Sequence, residues 1–178
     1  MNIAISQTQT SINDVMYDCL DPQWRTFLYN HNLIPIPNII DVHFNADMLI
    51  LTGGVETLAR AATETALFNM ALAKNIPILG VCRGAFILND YYNGMNRVID
   101  GHSKTEHAIE MEEQTFIVNS FHTSGIYLVG DNIEIIATAD NCIEAFKHKY
   151  LPIWGLSWHP ERMEEPVLPK ELEELLFG

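Results

Sequence analysis

The sequence predicts an open, mostly parallel α/β sheet flanked by helices. Two short apolar runs, residues 47–51 and 76–81, have the continuous hydrophobicity of strands that are buried on both faces. The stretch between them, residues 57–73, is rich in Ala and Leu and contains neither Gly nor Pro, as expected of a helix. A strand, a helix and a second strand in this order form a βαβ unit, which makes the two strands parallel.

Local signals predict the elements that precede this unit. Residues 3–5 are an apolar start typical of a buried strand, whereas residues 7–14 are polar and predict a loop. Residues 21–32 begin with Asp and Pro, which favour a helix start, and apolar residues then recur at helical spacing. Residues 34–37 alternate Ile and Pro and must be extended, because proline disfavours helix at itself and at the residue before it.

The second half of the chain continues the alternation of helices and strands. Residues 85–92 predict a helix, residues 97–118 a hairpin or a flap that could act as a lid, and residues 133–137 and 153–158 two strands. Residues 164–177 carry leucines among glutamates and predict an amphipathic terminal helix.

Length and charge limit the possible classes of protein. A chain of 178 residues predicts one domain over residues 1–178. The net charge of −13 makes nucleic acid and anionic membranes poor partners, because both repel an acidic protein.

Cysteine usage and the chain start suggest a compartment. Three cysteines are an odd number in a medium-sized chain, so we expect a reducing environment rather than a disulfide framework. The N-terminus does not resemble a signal peptide, and no apolar run approaches the ~18 residues of a membrane span. These features predict a cytoplasmic protein.

The strongest chemical signal is Gly-Val-Cys-Arg-Gly at residues 80–84. A G-x-C-x-G sequence between a strand and a helix has the layout of a nucleophile elbow, with Cys82 in place of serine. Glycines allow the backbone to pass closely at such a strained turn, and the positive end of the following helix favours the thiolate. The alternative is a buried structural cysteine in a tight turn.

A second signal is Trp-His-Pro-Glu at residues 158–161, directly after a predicted strand. A cysteine nucleophile needs a base, and the base needs an orienting group. His159 could supply the imidazole, and Glu161 could hold its other ring nitrogen. A histidine by itself is more often structural, so this hypothesis depends on the elbow at Cys82.

A third signal is Leu-Thr-Gly-Gly-Val at residues 51–55. A strand that ends in Gly-Gly presents backbone N–H groups at the carboxyl edge of the sheet, where open α/β sheets place their ligands. Such groups suit an oxyanion hole, although most Gly-Gly pairs are simply turns.

Together these three motifs resemble the class I glutamine amidotransferase family, and in particular its γ-glutamyl hydrolase-like branch. The likeness to that branch extends to Arg60 with Glu64 and to residues 75–84, 118–122 and 151–156. The opening, Ile5-Ser6-Gln7 followed by Leu20-Asp21 and Trp24, is similar to a small subgroup of free-standing hydrolases that act on γ-glutamyl-CDP-amidate.

The resemblance implies a role for each motif. Cys82 would attack the γ-carbonyl of a γ-glutamyl amide, His159 would move protons, Glu161 would orient His159, and the amides of Gly54 and Arg83 would bind the oxyanion. The implied substrate-binding residues are Gly53, Val55, Phe86, Ser120, Phe121, His122 and Thr123.

Two departures from the family pattern lie where the glutamyl end of the substrate should bind. Phe86 stands where many members carry Gln, and His122-Thr123-Ser124 stands where many relatives read His-His-Gln. These changes leave the reaction class intact and bear on which substrate is bound.

We expect no metal and no organic cofactor. His102, His107 and His122 could suggest a metal site, but His102 and His107 are five residues apart, which is not a helical ligand spacing, and no CxxC accompanies them. His122 is expected to line the substrate pocket or pack beside Phe121.

Several charged residues have alternative roles. Arg83 could pair with an acidic substrate group, or with Glu56 or Glu64. A nucleotide leaving group would need cations near the cleft, for which Arg97, Lys104 and Arg60 are the candidates.

Three functions follow as hypotheses. The first is a free-standing cysteine hydrolase that releases glutamate from a small-molecule γ-glutamyl amide through a glutamyl thioester, with γ-glutamyl-CDP-amidate as the most specific candidate. The second is the glutaminase component of a two-protein amidotransferase, which supplies ammonia to a separate synthase. The third is a catalytically silent binding protein, which the presence of Cys82, His159 and Glu161 disfavours.

Overall fold

The computed structural model describes residues 1–39, 41–140 and 142–178. In these parts of the chain an eleven-stranded sheet is accompanied by a separate two-stranded sheet. The strands are β1 (Asn2–Ser6), β2 (Thr8–Ile12), β3 (Val15–Cys19), β4 (Asn32–Ile36), β5 (Met48–Leu51), β6 (Ile78–Val81), β7 (Met95–Val98), β8 (Ser103–Met111), β9 (Gln114–Phe121), β10 (Ser124–Leu128), β11 (Ile133–Ala139), β12 (Cys142–His148) and β13 (Ile153–Leu156). The helices are α1 (Gln23–Phe27), α2 (Leu58–Lys74), α3 (Arg83–Tyr91) and α4 (Lys170–Phe177).

The main sheet has a parallel centre and an antiparallel extension. Its strand order is β4-β1-β5-β6-β13-β12-β11-β8-β9. The five strands from β4 to β13 run parallel, and the pairs from β13 to β9 are antiparallel. Strand β10 pairs with β12 and with β7. The predicted open α/β sheet flanked by helices is therefore confirmed, while its antiparallel extension was not predicted.

Side-chain alternation along the central strands divides the core between the two faces of the sheet. On β1, Ile3 and Ile5 belong to one buried cluster and Ala4 to the other. The first cluster includes residues of α1 and α4, and the second includes residues of α2 and α3. Every residue of β5, β6 and β13 is buried. This burial explains why the central strands read as continuous apolar runs.

The prediction of a loop over residues 7–14 is wrong. Strands β2 and β3 form an antiparallel hairpin whose turn residues, Asn13 and Asp14, have φ angles of 51° and 62°. Two positive φ angles suit a tight hairpin turn, and Asn and Asp tolerate them better than most residues. The hairpin is mostly exposed, so its strands carry no apolar pattern from which they could be recognised.

Other boundaries also differ from the predictions. Helix α1 ends at Phe27, well short of residue 32, because the chain turns to enter the parallel strand β4. Most of residues 97–118 forms β8 and the first part of β9, and this hairpin joins the main sheet through β11. It is therefore part of the sheet rather than a separate flap. No helix in the described residues is both long and apolar enough to cross a membrane.

Candidate active site

Cys82 lies on a strained turn between the buried strand β6 and helix α3. Its φ of 53° and ψ of −113° are unusual for a residue with a side chain, and its backbone N–H donates to Leu156 O at 2.7 Å. A Cβ on Gly80 would lie 2.6 Å from the Gly84 carbonyl, and one on Gly84 would clash with Leu51 O. Both glycines are therefore needed for the chain to pass this point.

His159 lies at the same edge of the sheet, because β13, which precedes it, is the parallel neighbour of β6. Its Nδ1 is 2.7 Å from Glu161 Oε1, and its ring lines the same cavity as the Cys82 side chain. A Cβ on Gly53 would lie 3.2 Å from both Cys82 Cβ and His159 Nε2. The three residues predicted from distant motifs are thus adjacent, and only a glycine fits beside the pair.

The electrostatic environment of His159 favours the imidazolium form. Burial by itself lowers the pKa of His159, but hydrogen bonds to Cys82 and Glu161 and the charges of both groups outweigh it and raise the pKa to about 9. A protonated imidazole beside a sulfur atom is the arrangement that a cysteine nucleophile requires.

Asn119, near the end of β9, holds the backbone of His159 from a distant part of the chain. Its Nδ2 donates to His159 O at 2.8 Å, and its Oδ1 accepts from His159 N at 2.9 Å. Sequence reasoning assigned Asn119 no role. Its only signal there was its place in the stretch 118–122, on which part of the family resemblance rests.

The Gly-Gly loop is shaped by Arg60, which is fully buried. The Arg60 guanidinium donates to the carbonyls of Thr52, Gly53 and Val55 at 2.6, 3.0 and 3.1 Å. Gly54 has a φ of 112°, which favours glycine, and lines the cavity beside Cys82. Because three carbonyls of this loop turn toward Arg60, the loop is held in one conformation next to the sulfur.

Arg83 pairs with carboxylates of the protein itself. Its guanidinium contacts both Glu56 and Glu64, and Glu64 also accepts from Arg60 Nε at 3.0 Å and from Ser6 Oγ at 2.7 Å. Of the two roles open to Arg83, pairing with protein carboxylates is the one observed. The two arginines and Glu64 form a buried network that ties α2 and α3 to the central strands.

A cavity of about 430 Å³ opens over the Cys82 and His159 side chains. It is lined by Gly54, Glu56, Cys82, Arg83, Phe86, Phe121, His122, Thr123, Ser124, His159 and Arg162. The lining includes most of the predicted site residues. It also includes Ser124, the last residue of the departure at 122–124, and Glu56 and Arg162, to which the sequence assigned no place in the cavity.

Three predicted substrate-binding residues are not among those that line this cavity in the described chain. Gly53 packs closely against the side chains of Cys82 and His159, and the Val55 side chain is largely exposed. Ser120 is fully buried, and its hydroxyl donates to His102 O at 2.5 Å. This contact directs the hydroxyl toward the segment before β8.

The two departures from the family pattern meet on one wall of the cavity. The rings of Phe86 and His122 pack edge to face, with centroids 5.7 Å apart. His122 Nδ1 is 2.7 Å from Ser124 O, so the backbone after β9 orients this ring. The prediction that His122 lines the pocket agrees with its position. Phe86 places an apolar face where a glutamine side chain would place an amide.

The cations near the cavity differ from those expected. Arg60 is buried under the Gly-Gly loop, and Arg97 stacks on Tyr127 and lines a second cavity of about 350 Å³. Arg162 is the cation that lines the first cavity together with Arg83. Its guanidinium lies 5.1 Å from the centroid of the Phe121 ring, and its Nε donates to Asp21 Oδ2 at 3.0 Å.

Three histidines surround Glu144, which is fully buried on β12. His102 Nδ1 and His107 Nε2 lie 3.4 and 3.5 Å from Glu144 Oε1, and His122 Nε2 lies 3.9 Å from Oε2. Burial lowers the pKa values of His102 and His122. Burial would raise the pKa of Glu144, but the histidines outweigh it and lower that pKa. Glu144 was not singled out from the sequence.

Comparison with known proteins identifies the family. The model of the class I glutamine amidotransferases matches residues 20–177. The chain is 33% identical to a γ-glutamyl-CDP-amidate hydrolase of Campylobacter jejuni, with 82% of this chain and 81% of the relative covered. It is 31% identical to a glutamine-hydrolysing GMP synthase component of Methanosphaera stadtmanae, with 68% and 69% covered.

A solved structure has a similar fold. A crystal structure of a glutamine amidotransferase from Thermotoga maritima superposes with a TM-score of 0.71 at 17% identity, covering 90% of this chain and 76% of that one. The match of the family model over residues 20–177, together with the relative that is 33% identical, shows that the chain belongs to the class I glutamine amidotransferase family.

Proposed function

We propose that this protein is a cysteine-dependent hydrolase that releases glutamate from a γ-glutamyl amide. The observation that carries the proposal is the adjacency of Cys82, on its strained turn, to a His159 ring whose Nδ1 is 2.7 Å from Glu161. A nucleophile, a base and an orienting carboxylate in this order are the parts that covalent amide hydrolysis needs. The cavity of about 430 Å³ suits a small-molecule substrate.

The reaction divides into two steps in which His159 carries the proton. The Cys82 sulfur attacks the γ-carbonyl carbon, and the backbone N–H groups of Gly54 and Arg83 stabilise the negative oxygen of the tetrahedral intermediate. The C–N bond then breaks as His159 protonates the leaving nitrogen, which leaves a glutamyl thioester on Cys82. Water attacks the thioester, His159 accepts its proton, and glutamate departs as the sulfur is released.

The leaving group we favour is a nucleotide amidate, as in γ-glutamyl-CDP-amidate. The similarity to the Campylobacter jejuni hydrolase supports this choice. Arg162 lines the cavity, and because only its Nε donates to Asp21, its terminal N–H groups could face phosphate oxygens. The Arg83 guanidinium, by contrast, is paired with two carboxylates, Glu56 and Glu64. Phe86 removes the amide group that many glutamine-binding relatives place on this wall, which agrees with a substrate other than glutamine.

The direct test is to incubate the purified protein with γ-glutamyl-CDP-amidate, glutamine and other γ-glutamyl amides, and to measure free glutamate. We expect turnover of at least one of these amides. Cys82→Ala and His159→Ala should each lower this turnover by at least ~10³-fold, because the residues of a catalytic unit act together and the loss of one removes most of the effect of the others. Cys19→Ala serves as the matched control, since Cys19 lies in the β2–β3 hairpin and should leave turnover unchanged. Undiminished turnover in Cys82→Ala would remove the covalent step.

A second candidate function is the glutaminase component of a two-protein amidotransferase. The similarity to glutamine-hydrolysing GMP synthase components of Methanococcus maripaludis and Methanosphaera stadtmanae favours it. The two candidates differ in what the protein does alone. A hydrolase turns over its amide without help, whereas a glutaminase component should show low activity until its synthase partner is added. Protein that is inactive on every amide, with or without such a partner, would instead favour a binding role.

A further inference from the structure

A second cluster of chemically active side chains lies behind the wall of the candidate cavity. It consists of Glu144 with His102, His107 and His122, which come from β12, the segment before β8, β8 itself and the residue after β9. The ligand atoms of His102, His107 and Glu144 all lie within 4.8 Å of one another. His102 and His107 lack the spacing of metal ligands on one helix, but a helical spacing is not needed here because four separate segments bring these residues together.

The separations in this cluster are too long and too poorly aligned for good hydrogen bonds. His102 Nδ1 and His107 Nε2 lie 3.4 and 3.5 Å from Glu144 Oε1, and neither carboxylate oxygen accepts a well-formed hydrogen bond from the described residues. A fully buried carboxylate without donors is costly, so the site calls for a cation or for protons. Two ligands of a tetrahedral zinc ion lie about 3.3–3.4 Å apart, which is close to these two separations. The other ligand atoms of the group lie within 4.8 Å, so the side chains must draw together when the ion binds.

The tautomer of His122 supports the same conclusion. Its Nδ1 lies 2.7 Å from Ser124 O, and because a carbonyl can only accept, Nδ1 carries the proton of the neutral ring. Nε2 then presents a lone pair toward Glu144 Oε2, 3.9 Å away. Two electron pairs that face each other in a buried space repel unless a cation lies between them. A metal-bound histidine commonly donates its other ring N–H to a backbone carbonyl, as His122 does.

We propose that His102, His107, His122 and Glu144 bind a divalent transition-metal ion, with zinc as the preferred metal. Three imidazoles and one carboxylate are a nitrogen and oxygen donor set that zinc accepts in tetrahedral geometry. His102, His107 and Glu144 form the group whose ligand atoms lie together, and His122 becomes the fourth ligand when its Nε2, now 3.9 Å from the second oxygen of Glu144, moves toward the ion. With all four in place no position is open, so the metal is structural. It would join the β8–β9 hairpin to β12 and hold the His122 ring against the candidate cavity.

The surroundings of the cluster provide both support and access. The His102 carbonyl accepts hydrogen bonds from Ser120 Oγ at 2.5 Å and from His122 N at 3.0 Å, so the backbone of two ligands is held in place. His102 also lines the second cavity of about 350 Å³, through which an ion could enter. The fold therefore offers a prepared set of ligands together with an entry path.

The test uses untagged Cys82→Ala protein, so that the candidate nucleophile cannot ligate the metal. The protein is stripped with a chelator, loaded with Zn²⁺, desalted and analysed for metal content. We expect one zinc ion per chain. His102→Gln and His107→Gln should each weaken zinc binding by at least ~100-fold, since metal ligands matter more than the groups that only orient them. His43→Gln, at an exposed histidine outside the cluster, is the matched control and should retain the ion.

A second measurement needs no variant within the cluster. Co²⁺ bound to the Cys82→Ala protein should give the visible absorption of a tetrahedral ion without a sulfur-to-cobalt charge-transfer band, because no ligand is a thiolate. Absence of bound metal, equal retention by His107→Gln and His43→Gln, or a thiolate band would each overturn the proposal. Because the Co²⁺ measurement leaves the cluster intact, it decides the matter even if the histidine variants fail to fold.

Discussion

The side chain of Asn119 forms two hydrogen bonds with the backbone of His159, donating to its carbonyl at 2.8 Å and accepting from its N–H at 2.9 Å. The two residues are 40 positions apart in the chain. This contact connects the antiparallel extension of the sheet to the candidate base, and since Asn119 is not among the described residues that line the cavity, it suits a positioning role.

We therefore expect Asn119→Ala to lower kcat by about 10²-fold while KM changes little, because a misplaced base slows proton transfer more than it weakens binding. Asn119→Asp keeps the acceptor for His159 N and should lose less. The comparison is Asn32→Ala, which removes an exposed hydrogen bond to Asn2 Oδ1. If Asn119→Ala raised KM alone, Asn119 would act on substrate binding instead.

Gly53 leaves no room for a side chain between the two candidate catalytic groups. A Cβ at this position would lie 2.6 Å from His159 Cε1 and 3.2 Å from Cys82 Cβ. We expect Gly53→Ala to lower turnover by at least ~10²-fold and to destabilise the protein by about 1–3 kcal/mol, because a neighbour must move. In Gly101→Ala no atom lies within 4 Å of the new methyl group, but the φ of 85° strains the backbone, so this variant shows the effect of a glycine replacement that does not crowd the site. Equal turnover in the two variants would show that the pair tolerates displacement.

The raised pKa of His159 makes stability depend on pH. Because the folded-state pKa is about 9 and the ordinary value is 6.5, the interactions of the imidazolium stabilise the fold fully below about pH 6.5 and are lost as the pH rises through about 9. Urea unfolding from pH 6 to pH 10 should show this fall. In Glu161→Gln, which lacks the charge beside His159, the fall should be smaller. If the free energy of unfolding fell by the same amount in both proteins, titratable groups other than His159 would be responsible.

The three cysteines should differ in reactivity. Cys82 faces the cavity and lies beside His159, which can accept its proton. Burial, together with the charge of Glu144, raises the pKa of Cys142 to about 12, which suppresses its thiolate. A glutamine-like alkylating agent should therefore add one mass increment at Cys82, as read by peptide mass spectrometry, and leave Cys19 and Cys142 largely unmodified. Glutamate added beforehand should slow the labelling, because glutamate in the cavity would block access to Cys82. Equal labelling of all three sites would contradict selective activation.

The sequence by itself determined the features that depend on local sterics. The apolar runs at β5, β6 and β13 reflect burial on both faces of the sheet, and the glycines around Cys82 reflect close backbone contacts at one turn. Both constraints act on residues that are neighbours in the chain, so they remain readable as patterns. The family resemblance rests on these same motifs, and the comparisons confirmed it.

Tertiary structure alone decided which distant residues meet. Asn119 reaches His159, and Glu144 collects three histidines, because the antiparallel strands β8 to β12 extend the parallel sheet in an order that differs from their order in the chain. Strand order depends on the summed pairing and packing of the whole molecule, and no short segment carries it. For the same reason the sequence left two kinds of partner open for Arg83, and only the folded chain shows it paired with Glu56 and Glu64.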